Sequence, residues 1–368
     1  MRFFDKIYTN KELFWLSLAL FAVLLRLIFG FWADACEYIY SRGLFFIVRM
    51  AVDYTVGWLP FASVYLLFVY FCYQVIIKIQ FGYKTFPTVK MWGLIRLFLS
   101  FMLRFVSKTV VLFFFLWGFN YARTPLETQL NISPVPLGVE QLRQEAVWVQ
   151  RRCVETRAAI ANVSDSALTD INFDMDLERE LRHSLVKFLQ KSNLPAFGCP
   201  RLRWLRPNGL LLGFSSSGVY IPFTAEAHIE NALHCSQVPF TAAHELGHAY
   251  GWGDEAVCNF LGFAACLQSD YPAIQYSGYL SYWRYVMGEL KSLDNDFYKN
   301  LRAEISVGMA ADLDETYKIF NQYPNFFPTL QKTAYNAYLK SQGVKEGVQS
   351  YNRMVLLVAA WRKKEGIL

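Results

Sequence analysis

The residues best placed to do chemistry stand together at Phe240-Thr-Ala-Ala-His244-Glu245-Leu246-Gly247-His248-Ala-Tyr-Gly251. On an α-helix, positions i and i+4 share one face, so His244 and His248 can offer two imidazoles to a single Zn²⁺ ion. Glu245 sits beside them and can reach a metal-bound water as general base. The segment is apolar apart from these groups, as a buried active-site helix requires.

The residues C-terminal to the motif decide whether a third ligand is available. Gly251-Trp-Gly253-Asp254-Glu255-Ala-Val-Cys258-Asn259-Phe-Leu-Gly reads as a helix stop and a new helix. On one continuous helix Glu255 would lie about 10 Å along the axis from His248, too far to share its metal. If the chain reverses at Gly251–Gly253, Glu255 swings back as the third ligand. Asn259, one turn later on the same face, can then orient a histidine from behind.

These residues carry a resemblance. HELGH followed by DEAVCNFLG is similar to the gluzincin metallopeptidases, the thermolysin-like clan, whose pattern is HExxH, a Glu ligand opening a later helix, and Asp four residues after it. The resemblance implies His244, His248 and Glu255 as ligands of one Zn²⁺ ion and Glu245 as base. Here the second His and the Glu are only 7 residues apart, and Asn259 stands where the family has Asp. The layout of N-terminal apolar spans, PFT-x-EA strand and AHELGH helix also resembles an uncharacterised bacterial family of membrane-anchored proteins with a zinc-peptidase motif. In gluzincins an edge strand binds an extended peptide substrate by β-augmentation. That role would fall to Val219, Tyr220, Ile221, Phe223 and Thr224, with Pro222 suited to an edge. The clan also takes an oxyanion donor, a His or Tyr, from its helical half. Tyr282, among Tyr276, Tyr279 and Tyr285, is the candidate. His228 and His234 are spare candidates for metal binding or proton transfer.

The elements that position these groups are expected in a domain over residues 137–368. Residues 139–161 and 174–192 have helical periodicity, with Asp174 as an N-cap. Residues 201–206, 209–214 and 218–229 read as strands of a small sheet. After Pro239 the chain reads as helical, with breaks near Gly251, Pro272, Pro324 and Gly343. The fold class is therefore α+β, mostly α: transmembrane helices followed by a gluzincin-like zincin domain. None of the seven cysteines forms a CxxC pair, so a cysteine-rich zinc module is not expected, and buried thiols are the default reading.

The rest of the chain reads as an anchor. The protein has 368 residues, 54% hydrophobic and only 18% charged, with a mean hydropathy of +0.20. Apolar runs at residues 13–32, 58–79 and 102–121 are expected to cross a bilayer, the last preceded by an interfacial stretch. Arg104 and Lys108 are expected to snorkel. A Pro-rich linker, residues 123–136, joins this anchor (1–122) to the domain. The formal charge of +6 does not imply nucleic acid: residues 1–126 hold 13 Lys/Arg against 5 Asp/Glu, and the remainder holds 23 against 25. The excess is instead a topology signal, placing the N-terminus and second loop inside and the domain outside. The expectation is a multi-pass protein of a bacterial inner membrane with a periplasmic, extracytoplasmic zinc metallopeptidase domain. Its partners are the lipid bilayer and a peptide or unfolded protein, with no nucleic acid. The alternatives are a peptide-binding sensor or scaffold, or a zinc hydrolase of a non-peptide envelope substrate.

Overall fold

An apolar run of membrane length folds as helix because its backbone groups are then paired within the segment. The computed structural model, which describes residues 10–85, 91–169, 176–329, 333, 337 and 353–367, divides into two units. One is Met1–Arg123 with Ile221–Ala225; the other is Thr124–Tyr220 with Glu226–Leu368.

The first unit contains α1 (Asn10–Phe31), α2 (Phe45–Asp53), α3 (Val64–Thr85) and α4 (Met91–Leu116). Two helical stretches are long and apolar enough to cross a membrane, Glu12–Phe31 and Phe98–Leu116, while Val64–Ile77 is a shorter apolar stretch. The outer two run parallel. Glu12 accepts from Ser100 Oγ at 2.8 Å and pairs with Arg104. Lys108 lies over the Trp15 ring, and Phe29 meets Phe119 at 5.5 Å.

Two expected boundaries need correction here. The stretch at 102–121 falls within one helix that begins at Met91 and ends at Leu116, and Gly118–Ala122 is a 3₁₀ turn. Arg104 pairs with Glu12, in the first turn of α1. The run at 58–79 starts late, since Trp58 closes a 3₁₀ turn and α3 begins at Val64. The segment between α1 and α2 is helical. A nine-residue π-helix, Cys36–Leu44, buries Glu37, which accepts from Arg42 and Arg123 at 2.7–2.9 Å. Tyr40 donates to the Phe114 and Phe115 carbonyls that α4 leaves unpaired at its end.

In the second unit the segment read as a linker packs firmly. It carries a short helix, Leu126–Gln129, with Leu126, Leu130 and Ile132 buried. α5 (Val139–Ala158) follows, then α6 (Leu177–Lys191), capped by Asp176 rather than Asp174, which lies outside the described residues. The sheet has three strands: β1 (Leu202–Leu205), β2 (Gly218–Ile221) and β3 (Glu226–Glu230), ordered β1-β3-β2 with β1 and β3 parallel. Residues 209–214 are a turn and a 3₁₀ helix, not a strand. The Glu230 carboxylate takes the Gly209 and Leu211 N–H groups at 2.9 and 2.8 Å, so those donors never reach a ladder. Residues 218–229 fold as a hairpin, and Phe223 and Thr224 belong to its turn.

The helical half comprises α7 (Val238–Ala249), α8 (Glu255–Gln268), α9 (Pro272–Leu293), α10 (Asn295–Ala303), α11 (Val307–Gln322) and α12 (Arg353–Glu365). Gly343 lies outside the described residues. α8 is buried from Glu255 to Cys266, matching its apolar sequence on all sides. α7 packs against it at Gly262, where an added Cβ would stand 3.2 Å from the His244 nitrogen and 3.3 Å from the Phe240 oxygen. Phe188, Phe260 and Trp361 close the core behind α8 with ring centroids 5.7–6.0 Å apart.

Candidate metal centre

α7 starts with Pro239 in its first turn, a position that needs no N–H donor. It stops in a Schellman arrangement around Gly251, whose φ is +86°. Gly251 N–H donates to the His248 carbonyl at 2.9 Å and Trp252 N–H to the Gly247 carbonyl at 3.3 Å. Asp254 then accepts from Val257 N–H at 3.0 Å and caps α8, so Glu255 opens that helix. The reversal returns Glu255 to both histidines.

The resulting geometry is tight. His244 Nε2 and His248 Nε2 are 3.2 Å apart. Glu255 Oε2 lies 3.3 Å from the first and 3.5 Å from the second. Ligands about 2.0–2.1 Å from a tetrahedral zinc stand roughly 3.3 Å from one another, so this triangle has the dimensions of one face of such a site. The outer ring nitrogens are fixed. His248 Nδ1 donates to the Trp252 carbonyl at 2.7 Å, and His244 Nδ1 to Asn259 Oδ1 at 2.8 Å. A carbonyl can only accept, so Nδ1 carries the hydrogen and Nε2 presents its lone pair. Two ring nitrogens and a carboxylate converging this closely repel one another unless a proton or a metal ion joins them. The donor set therefore fits a divalent metal ion.

Glu245 competes for the same space, since ligand atoms of His244, Glu245 and His248 all lie within 4.8 Å of one another. Distance separates the two carboxylates: Glu255 is the closer partner of both imidazoles. Environment separates them too. Burial pushes the Glu245 carboxyl above its ordinary range. For Glu255 burial acts in the same sense, but His248 and His244 outweigh it and hold the carboxyl well below that range. Two acids driven apart in this way suit a base and an anionic ligand. Glu245 Oε2 is buried with no hydrogen-bond partner, an acceptor left open toward whatever enters the site. Its other flank is β2, where an added Cβ on Gly218 would stand 2.6 Å from Glu245 Oε1.

Other sequence candidates fall elsewhere. The Tyr282 hydroxyl donates to Glu145 Oε1 at 2.7 Å, and its ring packs on Trp148 and Phe263. Its role is to bind α9 to α5, where Arg362 also pairs with Glu145. Tyr279 accepts from Arg152 Nε at 3.3 Å. His234 is held by Ser236 Oγ and the Leu168 carbonyl. His228 is fully buried on β3, its Nε2 3.6 Å from Glu226 Oε2, and does not join the cluster. Val219, Tyr220 and Ile221 form the edge strand β2.

On α9, one turn past Tyr282, stands Tyr285. It is half-buried, and burial pushes its phenol up to about 12, with the Glu255 charge acting in the same sense. A hydroxyl so held remains a donor at neutral pH. Its three-residue spacing from Tyr282 is visible in the sequence, but that the Tyr282 hydroxyl is taken by Glu145 depends on the helix packing.

Fold and site together define a mostly helical chain with two apolar, membrane-length helices, a small mixed sheet and a His-Glu-x-x-His cluster able to hold a metal ion. Residues 40–359 match the family described as "Protein of unknown function (DUF3810)", and the chain belongs to that family. No curated protein and no solved structure matches it.

Proposed function

We propose that this protein is a membrane-anchored zinc metallopeptidase of gluzincin type, with His244, His248 and Glu255 as metal ligands and Glu245 as general base. The observation that carries the reading is the convergence of two imidazole Nε2 atoms and Glu255 Oε2 at 3.2–3.5 Å beside a buried Glu245 whose Oε2 is unpartnered. Zinc bound there supplies a Lewis acid that acidifies a water and polarises a carbonyl. Glu245 Oε2 accepts the proton of the attacking water and hands it to the leaving amine. Tyr285 offers a phenolic hydrogen bond to the carbonyl oxygen as charge develops on it. β2, an edge strand passing Glu245 at Gly218, offers backbone groups to an extended peptide.

The anchor completes the reading. α1 and α4 run parallel, so a chain that crosses the bilayer in both must return between them, and α3 is the apolar segment available. Three crossings with Lys/Arg-rich N-terminus and second loop inside put the metal centre outside, in the periplasm of a double-membrane bacterium. The decisive experiment is metal analysis of the purified full chain beside its H248A and E255A variants. A 1:1 zinc content in wild type, lost in H248A and reduced in E255A, supports the assignment; full zinc in both variants sinks it.

A further inference from the structure

Behind the second histidine stands a side chain that the proposed reaction does not use. Cys258 lies on α8, three residues past Glu255, and is fully buried. Its Sγ is 3.3 Å from His248 Nδ1 and 3.3 Å from the Trp252 carbonyl oxygen. That oxygen is the one to which His248 Nδ1 donates at 2.7 Å. The sulfur also fills the space opened by Gly247, where an added Cβ would stand 3.4 Å away.

The two histidines are held by different means. His244 leans on a side-chain amide, Asn259, presented by α8. His248 leans on a backbone carbonyl in the Gly251–Gly253 turn, which the Gly251 and Trp252 N–H groups tie to α7. A carbonyl oxygen has two lone pairs. The imidazole N–H uses one, and the thiol S–H is placed to use the other. The thiol thereby ties the turn to α8, the helix that carries Glu255.

We propose that Cys258 is a positioning residue for His248: its S–H shares the Trp252 carbonyl, and its sulfur closes the space into which the imidazole would otherwise turn. Nε2 then stays aimed at His244 and Glu255. The sulfur faces the Nδ1 edge of the ring, the edge away from the three converging donors, so it supports a ligand and is not one itself. The inference rests on the zinc reading of the cluster. It goes beyond it in naming a residue that sets how tightly the ion is held.

The test uses the full chain in detergent, with C258A and C258S measured beside wild type by zinc competition against a chromophoric chelator and by the visible spectrum of the Co²⁺ form. Loss of a group behind a metal ligand lowers affinity roughly 10- to 100-fold, which is the expected result for C258A. Serine keeps a donor at the same atom, so C258S is expected within a few-fold of wild type with an unshifted Co²⁺ spectrum. If alanine does not fold by circular dichroism, C258V, which fills the space without a donor, takes its place. C258A binding zinc as tightly as wild type, or C258S as weakly as C258A, overturns the proposal while leaving the zinc site standing. Wild type that binds no zinc removes both.

Discussion

Glu245 and Glu255 are one residue type in one cluster, and their surroundings shift them in opposite directions. Glu255 is anionic because both imidazoles face it; Glu245 is raised by burial and keeps an open acceptor. E245Q should therefore keep wild-type zinc content and lose roughly 10²- to 10⁴-fold in turnover of reduced, carboxymethylated casein, as removal of a general base does. Parallel loss of zinc would mean that Glu245 is a ligand. The two tyrosines divide in the same way. Y282F leaves the buried Glu145 oxygen without its donor and should cost about 1–3 kcal/mol in thermal stability while sparing turnover. Y285F should leave the melting temperature in place and lower kcat roughly 10²-fold, the effect of losing one donor to a developing oxyanion. An exchange of these two phenotypes would return the oxyanion role to Tyr282.

At the scale of elements, two glycines set the distances on which the site depends. Gly218 lets β2 lie against Glu245: an added methyl would stand 2.6–2.9 Å from three of its side-chain atoms, so Glu245 must move. G218A is expected to lower turnover with zinc affinity unchanged, since the contacts of that methyl are with Glu245 and not with a histidine. Gly262 lets α8 approach the α7 backbone at His244, and backbone cannot yield as a side-chain tip can. G262V should force α7 and α8 apart, costing about 1–3 kcal/mol as overpacking does, and it should weaken zinc because the ligands sit on opposite sides of that seam. Equal zinc affinity in G218A and G262V would mean the seam does not set the ligand triangle.

Across the whole molecule, metal and membrane each leave a measurable mark. A cation that joins three mutually repelling donors binds the folded chain and not the unfolded one. At 100 times its dissociation constant zinc should then add about 2.7 kcal/mol of stability, seen as a melting temperature that falls with a chelator and recovers with zinc alone. The parallel arrangement of α1 and α4 makes a further demand. Alkaline phosphatase fused after Tyr121 should be active in a bacterial host, and deletion of Val64–Thr85 should silence it by removing the return crossing. An inactive full-length fusion would place the centre on the cytoplasmic side.

The sequence by itself determined whatever depends on neighbours along the chain. His244 and His248 share a face because helical spacing is local, and Gly251 predicted a stop because only a residue free to take positive φ closes a Schellman turn without strain. The same local logic placed Glu255 at the start of a new helix and α1 in an apolar run. Only the tertiary structure decided the rest. The short gap before Glu255 suffices because a tight turn returns α8 along α7. Tyr282 is taken up by Glu145 because α9 packs against α5. The pairing of Arg104 with Glu12, 92 residues away, likewise came from the packing of α1 on α4. The supposed strand at 209–214 failed because a distant carboxylate, Glu230, claimed its backbone donors. Gly218 and Cys258 carry no signal of their own: their importance lies in the atoms they stand against, and those come from other parts of the chain.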